Sequence, residues 1–163
     1  MSNQGASLTA KGKKALGFDF RAGFMRDLKA SSSSRSVFLS VMATQDQTTI
    51  DFSGFKPGVV FFGTSTSGAP ATTSDFSIVL QKNQSYVIGA QGPFSGFTAD
   101  LNDINGISVK ADKPIALATG NWLGGPTQTG HQDIGIDQAT PTSLAGTEYV
   151  LLKGNGPAAG TLS

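Results

Sequence analysis

The chain lacks cysteine altogether and carries few charges. With no cysteine among 163 residues, disulfides, thiolate metal sites and cysteine nucleophiles are excluded. Charged residues make up 14% of the chain, against roughly 25% in an average domain. Glycine, serine and threonine take their place, so the surface is solvated by hydroxyls and amides. Such a surface is typical of exported proteins.

Long apolar runs are absent too. No stretch approaches the about 20 apolar residues of a membrane helix, which predicts no direct membrane insertion. The first residues are polar and lead into lysines 11, 13 and 14, so no signal peptide is visible. If the parent protein is exported, we expect this chain to be an internal fragment or a processed form.

The usual catalytic patterns are missing. His131 is the single histidine, and no Gly-x-Ser-x-Gly elbow accompanies it, which favours a turn or surface role. Asp133 and Asp137 would lie about 13 Å apart on an extended chain, too far for the roughly 5 to 9.5 Å of a glycosidase pair. Phosphate-binding and dinucleotide-binding glycine patterns are also absent. We predict that the chain is not an enzyme and needs no organic cofactor.

Positive charge is concentrated at the start. Residues 1–35 hold seven basic and two acidic side chains, and the rest hold five basic and nine acidic ones. A basic segment can bind nucleic acid or an anionic glycan. We favour a solvated face or an inter-domain contact, with no nucleic-acid partner. The apolar residues interleaved with these charges are expected to anchor the core: Phe18, Phe20, Phe24, Met25 and Leu28.

Strand patterns dominate the remainder. Apolar or alternating runs predict strands at 36–43, 48–53, 59–62, 75–81, 85–90, 106–111, 114–119 and 148–153. One helical candidate spans about 10–29, but Gly17 and Gly23 interrupt it. Strands every ten or so residues predict an all-β fold, an antiparallel β-sandwich or barrel-like module with long loops.

We predict one module over residues 1–163. It comprises a basic leader (1–35), a strand-rich body (36–153) and a linker or truncated end (154–163). The abrupt end predicts an exposed sheet edge that neighbouring sequence or another protomer completes.

The best recognition candidates lie in loops. Trp122 and Asn121 stand among small residues, where a tryptophan either stacks on a sugar or partner, or plugs the end of the sandwich. We place recognition in loops 63–74, 91–105 and 120–132, with Phe94, Phe97 and His131 as further candidates.

A calcium site is a weaker candidate. Oxygen donors are dense just before Gly106, as calcium loops require, but one residue is inserted and the expected downstream glutamate is missing. An ordinary turn explains the same residues. The candidate ligands are Asp100, Asn102, Asp103 and Asn105.

An ordered series of motifs resembles one known family. Residues 106–122 contain Asp112-Lys113-Pro114, and Asp137, Gln138 and Pro141 follow, then Gly146 and Tyr149. This series, together with residues 11–16, 35–50 and 153–156, resembles the IgGFc-binding protein N-terminal domain family. The match is to the version found in large surface proteins of gliding bacteria.

The resemblance implies an extracellular module of a long surface protein, exported by the type 9 secretion system and acting in adhesion or gliding. Its partners would be a surface glycan or protein, or neighbouring domains; a stalk or assembly module without its own ligand is the alternative. We interpret the shared motifs as structural. Lys113 before proline is held extended and Pro114 begins a strand, while Asp137 and Gln138 fasten a connection to the sheet through backbone hydrogen bonds.

Overall fold

The computed structural model describes residues 6–24, 37–55, 60–63, 70–71, 75–91, 106–124 and 133–148. Ten strands occur in these ranges, and the helical content is two short 3-10 turns, at Gly12–Ala15 and Thr142–Leu144. The strands are β1 (Ala6–Thr9), β2 (Gly17–Arg21), β3 (Val37–Ala43), β4 (Thr48–Ser53), β5 (Val60–Gly63), β6 (Pro70–Ala71), β7 (Phe76–Leu80), β8 (Ser85–Gln91), β9 (Ser108–Gly124) and β10 (Asp133–Gln138). The predicted all-β class is confirmed.

All ten strands belong to one mixed sheet that does not close on itself. Its main path runs β1-β10-β9-β3-β8-β5-β6, while β2 and β4 also pair with β9 and β7 pairs with β4. Every pair is antiparallel except β1 with β10, which is parallel. The predicted antiparallel arrangement therefore holds for every strand pair but this one.

The long strand β9 divides the sheet into two halves. Its first part, Ser108 to Ala111, pairs with β4 and with most of β2, and its second part, from Ile115 onward, pairs with β3 and β10. The strand β2 reaches the second part only at Gly17, which lies opposite Ile115. Phe52 of β4 lies opposite Val109, and Tyr86 of β8 is two strands away from Leu117. Those positions on β9 would be about 26 Å apart on a straight strand.

The rings of Phe52 and Tyr86 nevertheless lie 6.2 Å apart, centroid to centroid. The sheet must therefore fold over at β9, so that its two halves face each other like the layers of a sandwich. One apolar cluster fills the space between them, with fully buried side chains from both halves, including Phe20, Ile50 and Val109 on one and Leu39 and Ile88 on the other.

The fold-over occurs at Asp112, Lys113 and Pro114, which contact the β3–β4 connection and the first residues of β4. The Asp112 carboxylate accepts from the Thr49 amide at 2.8 Å, and the Lys113 ammonium donates to the Asp46 and Gln47 carbonyls at 2.6 and 2.8 Å. The Pro114 carbonyl accepts from the Thr44 hydroxyl.

The prediction of a hairpin at these residues is wrong, because they lie inside the continuous strand β9. Turn-forming residues here produce a bend instead. Lys113 is held extended by the following proline. Pro114, which has no amide to donate, falls in the gap between the last residue paired with β4 and the first paired with β3.

The basic leader also differs from expectation. The helical candidate at 10–29 is wrong within its described part, which forms a 3-10 turn and strand β2. Phe20 is fully buried and Phe24 packs against the core, but Phe18 is 54% exposed and is not a core anchor. Met25 and Leu28 lie outside the described residues, as does all of the predicted strand at 148–153 after residue 148.

Candidate functional site

Several strands begin or end together at one end of the sandwich, which we call the loop end. Val37 begins β3, Gln91 ends β8, Gly124 ends β9 and Asp133 begins β10. Register places these positions side by side across neighbouring strands. The connections 92–105 and 125–132 therefore both leave from the loop end.

The structure places two of the predicted recognition residues at this end. Asn121 and Trp122 lie in the last part of β9, at the loop end. Phe94 and Phe97 belong to the first of the two connections and His131 to the second, although all three lie outside the described residues. The third predicted loop, 63–74, follows Gly63, which pairs with Ile88 farther from this end.

Asn121 is inside the sandwich rather than on its surface. Only 1% of it is exposed, and its backbone lies opposite Val37 on one side and Gly135 on the other. Gly135 makes room for the Phe24 ring beside it. A Cβ at that glycine would lie 2.7 Å from the Phe24 ring, but 3.6 Å from the side-chain oxygen of Asn121, which is an ordinary contact distance.

The side-chain amide nitrogen of Asn121, Nδ2, has no hydrogen-bond partner among the described residues. A buried donor left without an acceptor costs about 1–3 kcal/mol, so this position suits an oxygen acceptor from water or from a bound molecule. The neighbouring Trp122 has its backbone in β9, and its side chain lies outside what the structure describes. The pair combines a donor that needs an acceptor with an aromatic residue at the loop end.

The predicted calcium ligands cannot be placed. Asp100, Asn102, Asp103 and Asn105 lie outside the described residues. Within the described ranges, no group of three histidine, aspartate or glutamate side chains is positioned to hold a metal. Among the same residues, no helix is long and apolar enough to cross a membrane.

A second candidate surface, not predicted from the sequence, is a trough of about 300 Å³ on the outer face of β1, β10, β9, β3 and β8. Ala116, Ala118 and Ser40 line its middle, and the larger Leu8, Ile136 and Met42 also line it. No lining residue is charged. The sequence signal for this trough is the period-two run of small residues in β9. That run predicts a trough only once the strands that flank β9 are known.

The outer face of the other half is different in charge. Asp19, Lys110 and Asp51 occupy one row across β2, β9 and β4, and the Ser77 hydroxyl donates to Asp51. Alternating charges in cross-strand neighbours stabilise an exposed sheet face. The uncharged trough is therefore a property of one half of the sheet, and it marks that half as a candidate contact surface.

Four aromatic rings form a separate cluster along the core. Phe76 stacks on Phe52 at 4.8 Å and on Phe55 at 6.0 Å, and Tyr86 meets both Phe52 and Phe76. Phe52 is fully buried and the others are partly buried. Because the rings pack on one another across the two halves, we assign them to the core.

The predicted motif residues near the end of β10 fasten the N-terminal segment. The Gln138 side-chain oxygen accepts from the Lys11 and Gly12 amides at 2.6 and 2.9 Å, and its nitrogen donates to the Gly12 carbonyl at 3.2 Å. The Lys11 ammonium forms an ion pair with Asp137 and donates to the Gln138 carbonyl. These contacts hold the segment around Lys11 and Gly12 against the end of β10.

Pro141, the next motif residue, is buried against Gly17, where a Cβ would lie 2.4 Å from the proline Cβ. Gly146 is exposed, and Tyr149 lies outside the described residues. Of the basic leader, Lys13 and Lys14 are exposed and Arg21 donates to the Gly106 carbonyl at 3.3 Å.

We expect Gln138→Ala to loosen β1. The variant loses three hydrogen bonds to the backbone, which should lower the free energy of unfolding by about 1–2 kcal/mol. Hydrogen exchange followed by mass spectrometry should show faster exchange in residues 6–12. Asp137→Asn is the matched control, since an exposed ion pair contributes about 0.2–1 kcal/mol. Equal effects of the two variants would contradict a holding role for Gln138.

These features define a class of protein: a two-layer β module, folded over one long strand, with a loop-bearing end and an uncharged trough. The family follows from comparison. The model of the IgGFc binding protein family matches residues 5–161, nearly the whole chain, and the chain belongs to that family. Searches of curated proteins and of solved structures found no match.

Proposed function

We propose that this chain is a non-catalytic module of an exported bacterial surface protein and that it attaches to a glycan or protein ligand. The observation that carries the proposal is the convergence at the loop end. The buried donor of Asn121 and the backbone of Trp122 lie there, and the strands that precede the connections 92–105 and 125–132 end there. Family membership supports a role as one module of a larger protein.

The chemistry of the loop end favours binding over turnover. A single amide donor and aromatic residues can orient and stack a ligand, but catalysis of hydrolysis needs paired acid and base groups. Besides one histidine and one glutamate the sequence has ten aspartates, and the pair considered above, Asp133 and Asp137, stands four residues apart on the extended strand β10, about 13 Å. A surface location and attachment to a ligand fit a chain whose charged fraction is 14%.

We expect Trp122→Ala to abolish ligand binding while the fold survives. The test is a screen of the purified chain against a glycan array and candidate surface proteins, followed by titration of any hit. Loss of one stacking aromatic from a binding centre costs about 2 kcal/mol or more, hence a rise in Kd of roughly thirtyfold or more. Circular dichroism and thermal unfolding verify the fold.

Two controls make this screen decisive. Phe18→Ala removes an aromatic residue that is 54% exposed in β2, away from the loop end, and should leave binding unchanged. Repeating the titration with calcium and with chelator tests the loop at 100–105. Binding that survives Trp122→Ala but is lost in Ala118→Arg would place the ligand in the trough instead. Absence of any binding by the folded chain would contradict attachment.

The alternative function is a stalk or assembly module without a ligand of its own. The strand β1 favours it, because this strand is an end of the sheet path and carries an exposed leucine. Such a module would work through contacts between protein chains. The same strand supports a more specific inference.

A further inference from the structure

The edge strand β1 has hydrogen-bonding capacity left over. It pairs with β10 on one side, and no described strand pairs with it on the other. A strand in this position presents a row of backbone amides and carbonyls along its free side, which is a template for another strand. Its register with β10 runs without a shift from Ala6 to Thr9, so no bulge turns that side away.

The usual protections of an edge are missing from β1. Its sequence, Ala-Ser-Leu-Thr, contains no proline and no charge. The nearest cation, Lys11, is occupied by Asp137 and the Gln138 carbonyl, both on β10. Leu8 is 75% exposed. By contrast, the strand at the other end of the sheet path, β6, begins with Pro70, a residue that blocks edge pairing.

The charge around the edge indicates what kind of partner it accepts. A two-fold axis brings the residues nearest to it close to the same residues of the other copy, so an edge with net charge there repels itself. On the face of the sheet that carries Leu8, the described neighbours of β1 are neutral: Ala10, Ile136 and Gln138. The two charged neighbours, Lys11 and Asp137, which lies opposite Thr9, form an ion pair with each other and add no net charge. The edge strand β7 also exposes an apolar residue, Val79, but its face carries Asp51. An edge without net charge is compatible with a second copy of itself.

We propose that two copies of this chain associate edge to edge through β1. Related by a two-fold axis, the two strands run antiparallel and exchange backbone hydrogen bonds. The sheet then continues from one copy into the other. The two Leu8 side chains project from the same face of that sheet close to the seam, where each covers the other and the adjoining rim of the trough.

Sedimentation equilibrium of the full chain over a wide concentration range tests this association. We expect a reversible monomer–dimer equilibrium for the natural sequence. Leu8→Lys should shift it at least tenfold toward monomer, because it places two like charges at the seam. Leu8 is mostly exposed, so the variant should fold normally, which circular dichroism verifies.

Val79→Lys is the matched control, since it adds the same charge at an exposed apolar position of another edge strand, with 54% exposure. It should dimerise like the natural sequence. A chain that stays monomeric at all concentrations overturns the proposal. So does a Leu8→Lys variant that dimerises as well as the natural sequence, because the contact must then lie elsewhere.

The absence of cysteine permits a second, positional test. Leu8→Cys introduces a single thiol, and cross-strand neighbours lie within about 8 Å of each other. A short bis-maleimide reagent should therefore join two copies of this variant and not two copies of Val79→Cys. Equal crosslinking of both variants would contradict pairing through β1. Neither test depends on the ligand screen, so the two proposals stand or fall separately.

Discussion

Replacing Phe52 by alanine is expected to lower the free energy of unfolding by about 3–5 kcal/mol, the range for removing a fully buried phenylalanine. Phe52 is 1% exposed and stacks on Phe76 at 4.8 Å within its own half of the sheet. It also contacts Tyr86 of the opposite half. The truncation therefore leaves a cavity where the two halves meet, and urea denaturation should show the loss as a lower midpoint.

Phe18→Ala provides the comparison, because it removes the same side chain from a site that is 54% exposed. Its effect should stay within about 0.5 kcal/mol, as for most surface substitutions. The slope of the free energy against urea concentration should be similar in both variants, which shows that they unfold over similar surface areas. If the two truncations cost the same, the burial assigned to Phe52 and the exposure assigned to Phe18 are both wrong.

Strand existence was predictable wherever the local pattern was strong. In β4, Thr48, Ile50 and Phe52 alternate with more exposed residues, and the predicted bounds of 48–53 match the observed strand. β3, β7 and β8 were also predicted to within a residue or so. Alternation at period two reports directly on which face meets the core, so no distant contact is needed to interpret it.

The path of β9 was not predictable from local signals. Asp112-Lys113-Pro114 has the composition of a turn, and both a hairpin and a bent strand satisfy it. What selects the bent strand is the set of partners on either side, β4 and β2 before the bend and β3 and β10 after it. The strand β2 falls within the helical candidate at 10–29. Its burial does not follow the period-two alternation that would predict a strand.

The candidate site was predictable in part. Asn121 is a candidate from the sequence because it adjoins Trp122 in a glycine-rich stretch, but its burial follows from its neighbours in two other strands, Val37 and Gly135. The trough could not be predicted from the sequence, because Ala116 and Ala118, its outward residues on β9, carry no distinctive pattern. They form a floor only because the wall residues Leu8 and Met42 come from strands far away along the chain.

Gly120→Ala is expected to be strongly disruptive, with a loss of about 3 kcal/mol or more in the free energy of unfolding. A Cβ at this position would lie 2.2 Å from the Gly135 carbonyl oxygen and 2.7 Å from the Phe38 ring. The first contact is with backbone of the paired strand β10. It can be relieved only by separating β9 from β10 where Gly120 lies opposite Ile136.

Gly135→Ala is the graded control for this prediction. Its Cβ would meet the Phe24 ring at 2.7 Å, and a partly buried side chain can shift where a paired backbone cannot, so the expected loss is about 1 kcal/mol.

Because the β9–β10 pair also carries Asn121 and Trp122, Gly120→Ala should weaken any loop-end binding before the protein unfolds. Chemical denaturation gives the two losses, and hydrogen exchange in residues 133–138 should rise more in Gly120→Ala. A smaller loss for Gly120→Ala than for Gly135→Ala would show that β9 and β10 are not in close backbone contact, and the packing assigned to the loop end would have to be abandoned.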